Sequence, residues 1–256
     1  MSLQIVKSTG VVSPLSILWF IHGYKAIGKS TLFSKFPHTL YITTEKRHDH
    51  ISGIEYVYVI NWQELLAVTK SLASPVYYSK YRFIVIDVID LTYQYCIQYI
   101  CKHNYTQLVW ENWKEPGWGK GEDSVDAEYR KWYINLLTLP YGFAFISHTK
   151  VDMVEKIVNK VSVMKPKVES GLHKRAKVII MPPIDITGHM KYENVLYTDA
   201  KGKLQNKKVR LISFDGDDLV EAGDGIGYMP KKLVVDKDPS LMYKKIVALY
   251  ETNKVT

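Results

Sequence analysis

A stretch of eight residues near the start of the chain has the composition and spacing of a phosphate-binding loop. It begins with glycine, has a second glycine at its sixth position, and ends with lysine and serine. Glycines allow the backbone to wrap so closely round a phosphate that its N–H groups point inward. The lysine of such a loop reaches the β- and γ-phosphates, and the hydroxyl group binds Mg²⁺. With ATP and Mg²⁺ as the expected cofactors, the predicted nucleotide-binding residues are Gly23, Tyr24, Lys25, Ala26, Ile27, Gly28, Lys29, Ser30 and Thr31.

The segments on either side of this loop support the same interpretation. Residues 16–22 form a short apolar run without alternation, which is typical of a strand covered on both faces of a parallel sheet. Residues 29–36 have helix-forming character, and Pro37 is expected to end that helix. A glycine turn that matches by chance is the alternative, but a preceding strand and a following helix argue against it.

A magnesium site in such a fold needs a carboxylate at the end of a second strand. Asp87 directly follows the apolar run Phe83-Ile84-Val85-Ile86 and meets that requirement. We therefore expect Asp87, through water, and Ser30 to hold Mg²⁺. A solvent-facing helix cap is the alternative for an acid in this region, and Asp90 is the better candidate for that role.

Hydrolysis also needs a group that orients or deprotonates water near the γ-phosphate. Glu45 follows the predicted strand 40–44, and His148 follows the predicted strand 142–147. Because the carboxyl ends of parallel strands face the nucleotide, both side chains are expected to reach one crevice. A surface loop acid is the alternative for Glu45, and a hydrogen-bonded loop histidine is the alternative for His148.

The order of predicted elements indicates an α/β fold with a mostly parallel central sheet flanked by helices. A further strand is expected over 56–60, followed by a helix that starts with a capping box formed by Asn61 and Glu64. Another helix is expected over 91–101. Strands and helices that alternate in this way predict crossover connections between parallel strands.

One core domain is expected over residues 14–232, followed by a C-terminal helix within 233–256. The core is expected to contain an irregular excursion over 106–126 and a basic loop over 149–177. Asp238 followed by Pro239 is a typical helix start.

The chain resembles the phage-encoded RecA-like ATPases of the Sak4 type, which are single-strand-annealing or recombinase-like proteins. The motifs that carry this resemblance are residues 23–30, 43–45, 83–90, 145–150 and 221–230, so the likeness runs over most of the chain. It implies a RecA-like P-loop NTPase fold with Lys29, Glu45 and His148 as catalytic residues. Glu45 would activate water, His148 would sense the γ-phosphate, and Asp87 would be the Walker B carboxylate.

The resemblance also implies a homo-oligomer, either a ring or a filament, that acts on single-stranded DNA. Two features depart from the family pattern. The loop reads Gly-Tyr-Lys-Ala-Ile-Gly where Gly-Pro-Pro-Gly-x-Gly is more usual, and Gly225 stands where a basic residue is more frequent. A trans-acting role for position 225 is therefore not carried over to this chain.

Positive charge is concentrated in residues 149–177, which contain eight basic and three acidic residues and thus an excess of five charges out of a net +8 for the chain. Lysines that neutralise phosphates are the general source of affinity for nucleic acid. The predicted DNA-binding residues are Lys150, Lys165, Lys167, Lys174, Arg175 and Lys177. A solvated basic hairpin is the alternative interpretation.

Three smaller features point more weakly to function. Trp110, Trp113 and Trp118 lie in the excursion and could stack on bases, although filling the core or an interface is the more common role of tryptophan. The segment 48–50 (His-Asp-His) lacks a further metal ligand at useful spacing and is assigned to a loop. Cys96 and Cys101 are expected to be buried structural thiols.

These observations predict an ATPase of a bacteriophage that binds single-stranded DNA during recombination or annealing. A single-strand-binding protein is a possible partner. A helicase-like or packaging motor is one alternative, distinguished by translocation or strand separation. A nucleotide-gated DNA-binding protein without turnover is another, distinguished by ATP binding without phosphate release. No segment resembles a membrane span or an export signal, so a cytoplasmic location, in the host cell if the protein is phage-encoded, is expected.

Overall fold

The computed structural model describes residues 13–46, 48–104, 120–158, 161–198 and 202–252. Within these residues the chain forms ten strands and seven α-helices. The strands are β1 (Leu18–Gly23), β2 (Thr39–Thr43), β3 (Glu55–Tyr58), β4 (Phe83–Asp87), β5 (Gly142–Val158), β6 (Val161–Ser170), β7 (Ile186–Thr198), β8 (Leu204–Ser213), β9 (Gly223–Asp224) and β10 (Lys232–Val234).

Six of these strands form a parallel array in the order β3, β2, β4, β5, β1 and β7. β8 and β10 extend the sheet beyond β7 in antiparallel pairings, β9 also pairs with β7, and β6 pairs with β5. The prediction of a mostly parallel α/β sheet is thus confirmed. Every residue of β4 is buried, as expected for an apolar strand with helices on both faces.

The helices are α1 (Lys29–Leu32), α2 (Trp62–Leu72), α3 (Pro75–Lys80), α4 (Asp90–Asn104), α5 (Lys120–Leu137), α6 (Lys174–Ile180) and α7 (Pro239–Thr252). α2, α4, α5 and α6 pack on one face of the sheet, whereas α1 and α7 pack on the other. Alternate residues of β4 serve the two sides, because Ile84 and Ile86 face the first group while Phe83 and Val85 face the second. None of the described helices is long and apolar enough to cross a membrane.

Both predicted helix starts are confirmed. Asn61 accepts a hydrogen bond from the Glu64 amide (2.9 Å), and a Glu64 carboxylate oxygen accepts one from the Ile60 amide (2.9 Å). Asp238 accepts a hydrogen bond from the Ser240 amide at the start of α7 (2.9 Å). Cys96 and Cys101 are buried free thiols, as expected.

The structure corrects several predicted elements. α1 ends at Leu32, four residues short of the predicted end, and turns lead on to the buried Phe36. α3 and α5 were not predicted, and residues 120–126 belong to α5 rather than to an irregular excursion. The three tryptophans of that excursion lie outside the described residues.

Two long antiparallel hairpins extend beyond the parallel array. β5 pairs with β1 only as far as His148 and then continues to Val158 in a pairing with β6. β7 pairs with β1 as far as Met190 and continues to Thr198 in a pairing with β8. The stretch 149–177, expected to be a basic loop, is therefore a hairpin followed by the first half of α6. Both hairpins leave the sheet at the edge where β1 ends, which is the edge that carries the phosphate-binding loop.

Candidate functional site

The glycine-rich segment forms a tight loop between the end of β1 and the start of α1. Gly28 has a φ of 96°, a left-handed conformation that favours glycine, and its carbonyl accepts the first helical hydrogen bond from the Leu32 amide (3.1 Å). A Cβ atom at this position would lie 2.4 Å from Nη1 of Arg210. The backbone conformation therefore favours glycine at position 28, and any larger residue would have to push the end of the Arg210 side chain aside.

Lys29 is held across the start of the loop. Its side chain is buried (the residue is 6% exposed), and its Nζ donates to the carbonyls of Gly23 (2.7 Å) and Tyr24 (3.0 Å). Burial lowers the pKa of Lys29, while the carboxylates of Asp87, Asp90 and Glu45 act in the opposite direction. A lysine fixed in this way presents a cation to any anion that enters the loop.

A cavity of about 500 Å³ opens beside the loop at the carboxyl edge of the sheet. The structure brings residues from five separate segments to its walls: the loop, the end of β2, the turn between β2 and β3, the end of β4 and β5. The lining residues are Lys25, Ala26, Ile27, Gly28, Lys29, Ser30, Thr31, Glu45, His50, Ile51, Asp87, Val88 and His148. Of the predicted nucleotide-binding set, Gly23 and Tyr24 are outside this lining, and the Tyr24 side chain is exposed.

Hydrogen bonds between strand ends position the acidic residues of the cavity. Thr44 Oγ1 accepts from the Val88 amide (3.0 Å) and donates to the Val88 carbonyl (2.9 Å), which ties the segments after β2 and β4 together. Thr43 Oγ1 accepts from the Glu45 amide (3.2 Å) and donates to the Glu45 carbonyl (2.7 Å). Asp87, the last residue of β4, is only 4% exposed. Both carboxylates are therefore carried by fixed backbone.

His148 is oriented by Asp90, a residue that the sequence analysis considered only as a solvent-facing helix cap. Asp90 begins α4, but its carboxylate accepts hydrogen bonds from the His148 amide (2.8 Å), His148 Nδ1 (3.2 Å) and the Ser147 hydroxyl (2.5 Å). The bond to Nδ1 places the proton of a neutral imidazole on that nitrogen and leaves Nε2 as the acceptor. The only sequence indication of this role was the position of Asp90 three residues after Asp87.

Arg210 also contacts the site, and no pattern in the sequence predicts this contact, because Arg210 lies 183 residues from its acceptor Ile27. It extends from β8 to the back of the loop, where Nη1 donates to the Ile27 carbonyl (3.1 Å) and Nη2 donates to the Asp236 carbonyl (2.9 Å). Neither acceptor carries a formal charge. Arg210 therefore connects the loop with the β7–β8 hairpin and adds positive charge beside it.

The predicted DNA-binding residues are mostly engaged in ion pairs. Lys150 and Lys167 pair with Glu169, and Lys177 pairs with Glu169 and Glu221. Arg175 pairs with three acids of α5, namely Glu122, Asp123 and Asp126. Burial alone would raise the pKa of Glu169, but Lys150, Lys177 and Lys167 hold it at about 2. Lys165 and Lys174 form no ion pair with any other described residue.

The remaining candidate, the segment 48–50, forms a short 3₁₀ turn between β2 and β3, and the exposed His50 reaches the cavity wall. Among the described residues, no group of three or more His, Cys, Asp or Glu side chains is arranged to hold a metal ion.

Comparison with known proteins adds a family and a relative. A family model described as AAA domain matches residues 16–225, a range that includes the loop, Glu45, Asp87 and His148. The chain is also similar to the SPbeta prophage-derived uncharacterized protein YorG of Bacillus subtilis (strain 168), with 24% identity over 192 residues. The aligned part is 74% of this chain and 52% of that protein, so the chain spans about half the length of this relative.

Proposed function

The chain belongs to the AAA domain family of P-loop ATPases, and from that premise we propose that it binds ATP with Mg²⁺ beside the loop and hydrolyses it. The observation that carries the proposal is the shared cavity. The buried cation Lys29 and three groups able to handle protons or metal, Glu45, Asp87 and His148, line the same space. Nucleotide hydrolysis needs all of these functions within reach of one γ-phosphate.

The donor set fits a phosphate group and its metal. Lys29 supplies a fixed ammonium group at the loop, and the amides that precede α1 add partial positive charge. Ser30 and Asp87 offer the hydroxyl and carboxylate oxygens that Mg²⁺ prefers, and both line the cavity. When bound there, Mg²⁺ would neutralise charge on the phosphates.

Glu45 and His148 would act on the attacking water and on the terminal phosphate. Glu45 is a partly exposed carboxylate at the cavity wall and can accept a proton from water or orient it. His148 is held by Asp90 and would present Nε2 to the cavity. Asp90 thereby acts as a positioning residue that limits rotation of the imidazole ring.

At a finer level, we propose a RecA-like enzyme of a bacteriophage that assembles with copies of itself and acts on single-stranded DNA in recombination or annealing. The resemblance of the five motifs, the prophage origin of the relative and the net charge of +8 support this proposal. A basic protein gains affinity for a polyanion by releasing counterions, so binding must weaken as salt rises.

Phosphate release from ATP tests both levels of the proposal. We expect hydrolysis that requires Mg²⁺ and that is stimulated by single-stranded DNA, with less stimulation at the higher of two salt concentrations. Absence of hydrolysis under all conditions would refute the ATPase assignment. Hydrolysis that no DNA concentration changes, together with no measurable DNA binding, would refute the finer proposal and leave the ATPase assignment standing.

A further inference from the structure

The basic stretch 149–177 has little net charge once its folded surroundings are included. Five acids outside the stretch pair with its cations: Glu122, Asp123, Asp126, Asp218 and Glu221. The number of these acids equals the excess of five positive charges that the stretch carries in the sequence. A surface that attracts a polyanion over a distance needs uncompensated charge, and in the part of this stretch that the structure describes only Lys165 and Lys174 form no ion pair.

The β7–β8 hairpin has a different charge balance. Residues 191–210 include six basic and two acidic residues. One of the two acids, Glu193, is shared by Lys191 (3.3 Å) and Lys232 (2.6 Å). Lys207 and Lys208 are exposed and form no ion pair with any other residue that the structure describes. Within the described residues, Lys207, Lys208 and Arg210 therefore give this hairpin three cations without an ion pair.

One face of this hairpin combines the charge with an exposed aromatic ring. Tyr192 is paired with Arg210 and Asn194 with Lys208, so all four side chains lie on the same face. Tyr192 is 53% exposed, and the Lys208 Nζ lies 4.9 Å from the centre of its ring. Lys207, although adjacent in sequence, is on the opposite face, because it pairs with Val195.

The face that carries Tyr192 lies on the same side of the sheet as the phosphate loop. Met190 and Ile212 continue it toward the core, where they pack in the cluster that contains residues of α1 and α7. Arg210 extends from it to the Ile27 carbonyl. The hairpin face and the nucleotide cavity are thus adjacent along one side of the molecule.

We infer that the Tyr192 face of the β7–β8 hairpin binds single-stranded nucleic acid, with a base stacked on Tyr192 and a phosphate beside Lys208. The inference rests on the proposed function and places its DNA contact on the β7–β8 hairpin rather than on residues 149–177. An exposed ring can stack on any unpaired base, whereas bases in a duplex are not accessible to it. The neighbouring cations provide the attraction for the phosphate backbone.

Fluorescence anisotropy with a labelled oligothymidylate tests this surface. Tyr192→Leu is expected to weaken binding by about five-fold or more at every salt concentration, because stacking is lost, whereas Tyr192→Phe retains it. Lys208→Ala should make the slope of log K against log salt shallower by about 0.7, the value for one lost phosphate contact. Lys207→Ala is the matched control on the opposite face and is expected to have the smaller effect.

A second control changes the surface first predicted from the sequence. The double variant Lys165→Ala, Lys174→Ala removes the two predicted DNA-binding residues that form no ion pair with another described residue, and it should bind oligothymidylate like the wild type. All these residues are exposed or partly exposed, so thermal unfolding should be unchanged and binding can be compared directly. Weak binding by this double variant, with normal binding by Tyr192→Leu and Lys208→Ala, would overturn the inference.

Three other outcomes would also overturn it. If Tyr192→Leu raises the KM for ATP and leaves oligothymidylate binding unchanged, the Tyr192 face contributes to ATP binding rather than to DNA binding. Equal binding of all variants to anionic phosphatidylserine vesicles, with no binding of oligothymidylate, would show a lipid surface instead. No DNA binding by a wild-type protein that still releases phosphate from ATP would refute the DNA contact alone.

A different outcome would separate the two proposals. If the wild-type protein releases no phosphate from ATP but still binds DNA in a way that depends on Tyr192, the inference is supported and the ATPase assignment is refuted.

Discussion

A buried pair of histidines next to the phosphate loop should make the protein unstable in mild acid. The rings of His22 and His189 are stacked with their centres 4.8 Å apart. His22 is hydrogen-bonded to Thr149 Oγ1 (2.9 Å) and to the Glu221 carbonyl (2.6 Å). His189 is only 4% exposed, and neither of its ring nitrogens has a hydrogen-bond partner among the described residues. A charge on His189 would thus be buried without compensation.

The pKa of His189 gives the size and direction of the effect. Burial lowers the pKa of His189 from 6.5 to about 4, and electrostatic interactions with His22 and Lys191 act in the same direction. Between pH 6.5 and pH 4, His189 is therefore protonated in the unfolded chain but neutral in the folded protein. The contribution to stability is fully present above pH 6.5 and is lost as the pH falls toward 4. It amounts to about 3 kcal/mol in total, of which about 2 kcal/mol is lost by pH 5.

Thermal unfolding at pH 7.5 and pH 5.0 measures this contribution. His189→Leu removes the titration, so its Tm should fall between the two pH values by less than that of the wild type, with a difference of roughly 4 to 8 °C. His38→Asn, which removes an exposed histidine, is the control and should behave like the wild type. An equal fall in Tm for wild type and His189→Leu would refute the argument that the buried ring is kept neutral.

Three further variants test the site itself. Glu45→Gln keeps size and hydrogen bonding but cannot accept a proton, so ATP should bind normally in a titration while phosphate release falls by about 100-fold. Asp90→Ala frees the His148 ring and should slow hydrolysis by roughly 10- to 100-fold with little change in ATP affinity, and Asp90→Asn should recover part of the loss. Gly28→Ala meets both an unfavourable φ and Arg210, so denaturant unfolding should show a loss of more than about 1 kcal/mol. Gly227→Ala, with a similar φ of 79° but no atom within 4 Å, is its control and should lose less. Equal losses in the two glycine variants would show that contact with Arg210 contributes nothing.

The phosphate loop and the core strands could be predicted because their determinants are local. A run such as Phe83-Ile84-Val85-Ile86 specifies a buried strand by itself, and the loop motif is read from consecutive residues. α5 was missed, although Val125, Tyr129, Trp132 and Leu136 follow helical spacing and are all buried. The glycines and charges around its start obscured that periodicity.

Contacts between distant segments could not be predicted in this way. Asp90 binds His148 from 58 residues away, and no local pattern in either segment indicates the pairing. The partners of charged residues could not be predicted from local sequence either. The lysines of residues 149–177 are visible in the sequence, but Glu221 and the α5 acids become their partners only in the folded chain. Net charge along a segment therefore did not equal net charge on a surface.

The most direct test of the account is phosphate release from ATP by Lys29→Ala. Lys29 is the cation that the loop holds over its own start, so its loss should abolish nucleotide binding or turnover while the fold is retained. Lys35→Ala removes an exposed lysine six positions later and should release phosphate at the wild-type rate. Wild-type hydrolysis by a folded Lys29→Ala protein would contradict the assignment of this cavity as the site of nucleotide hydrolysis.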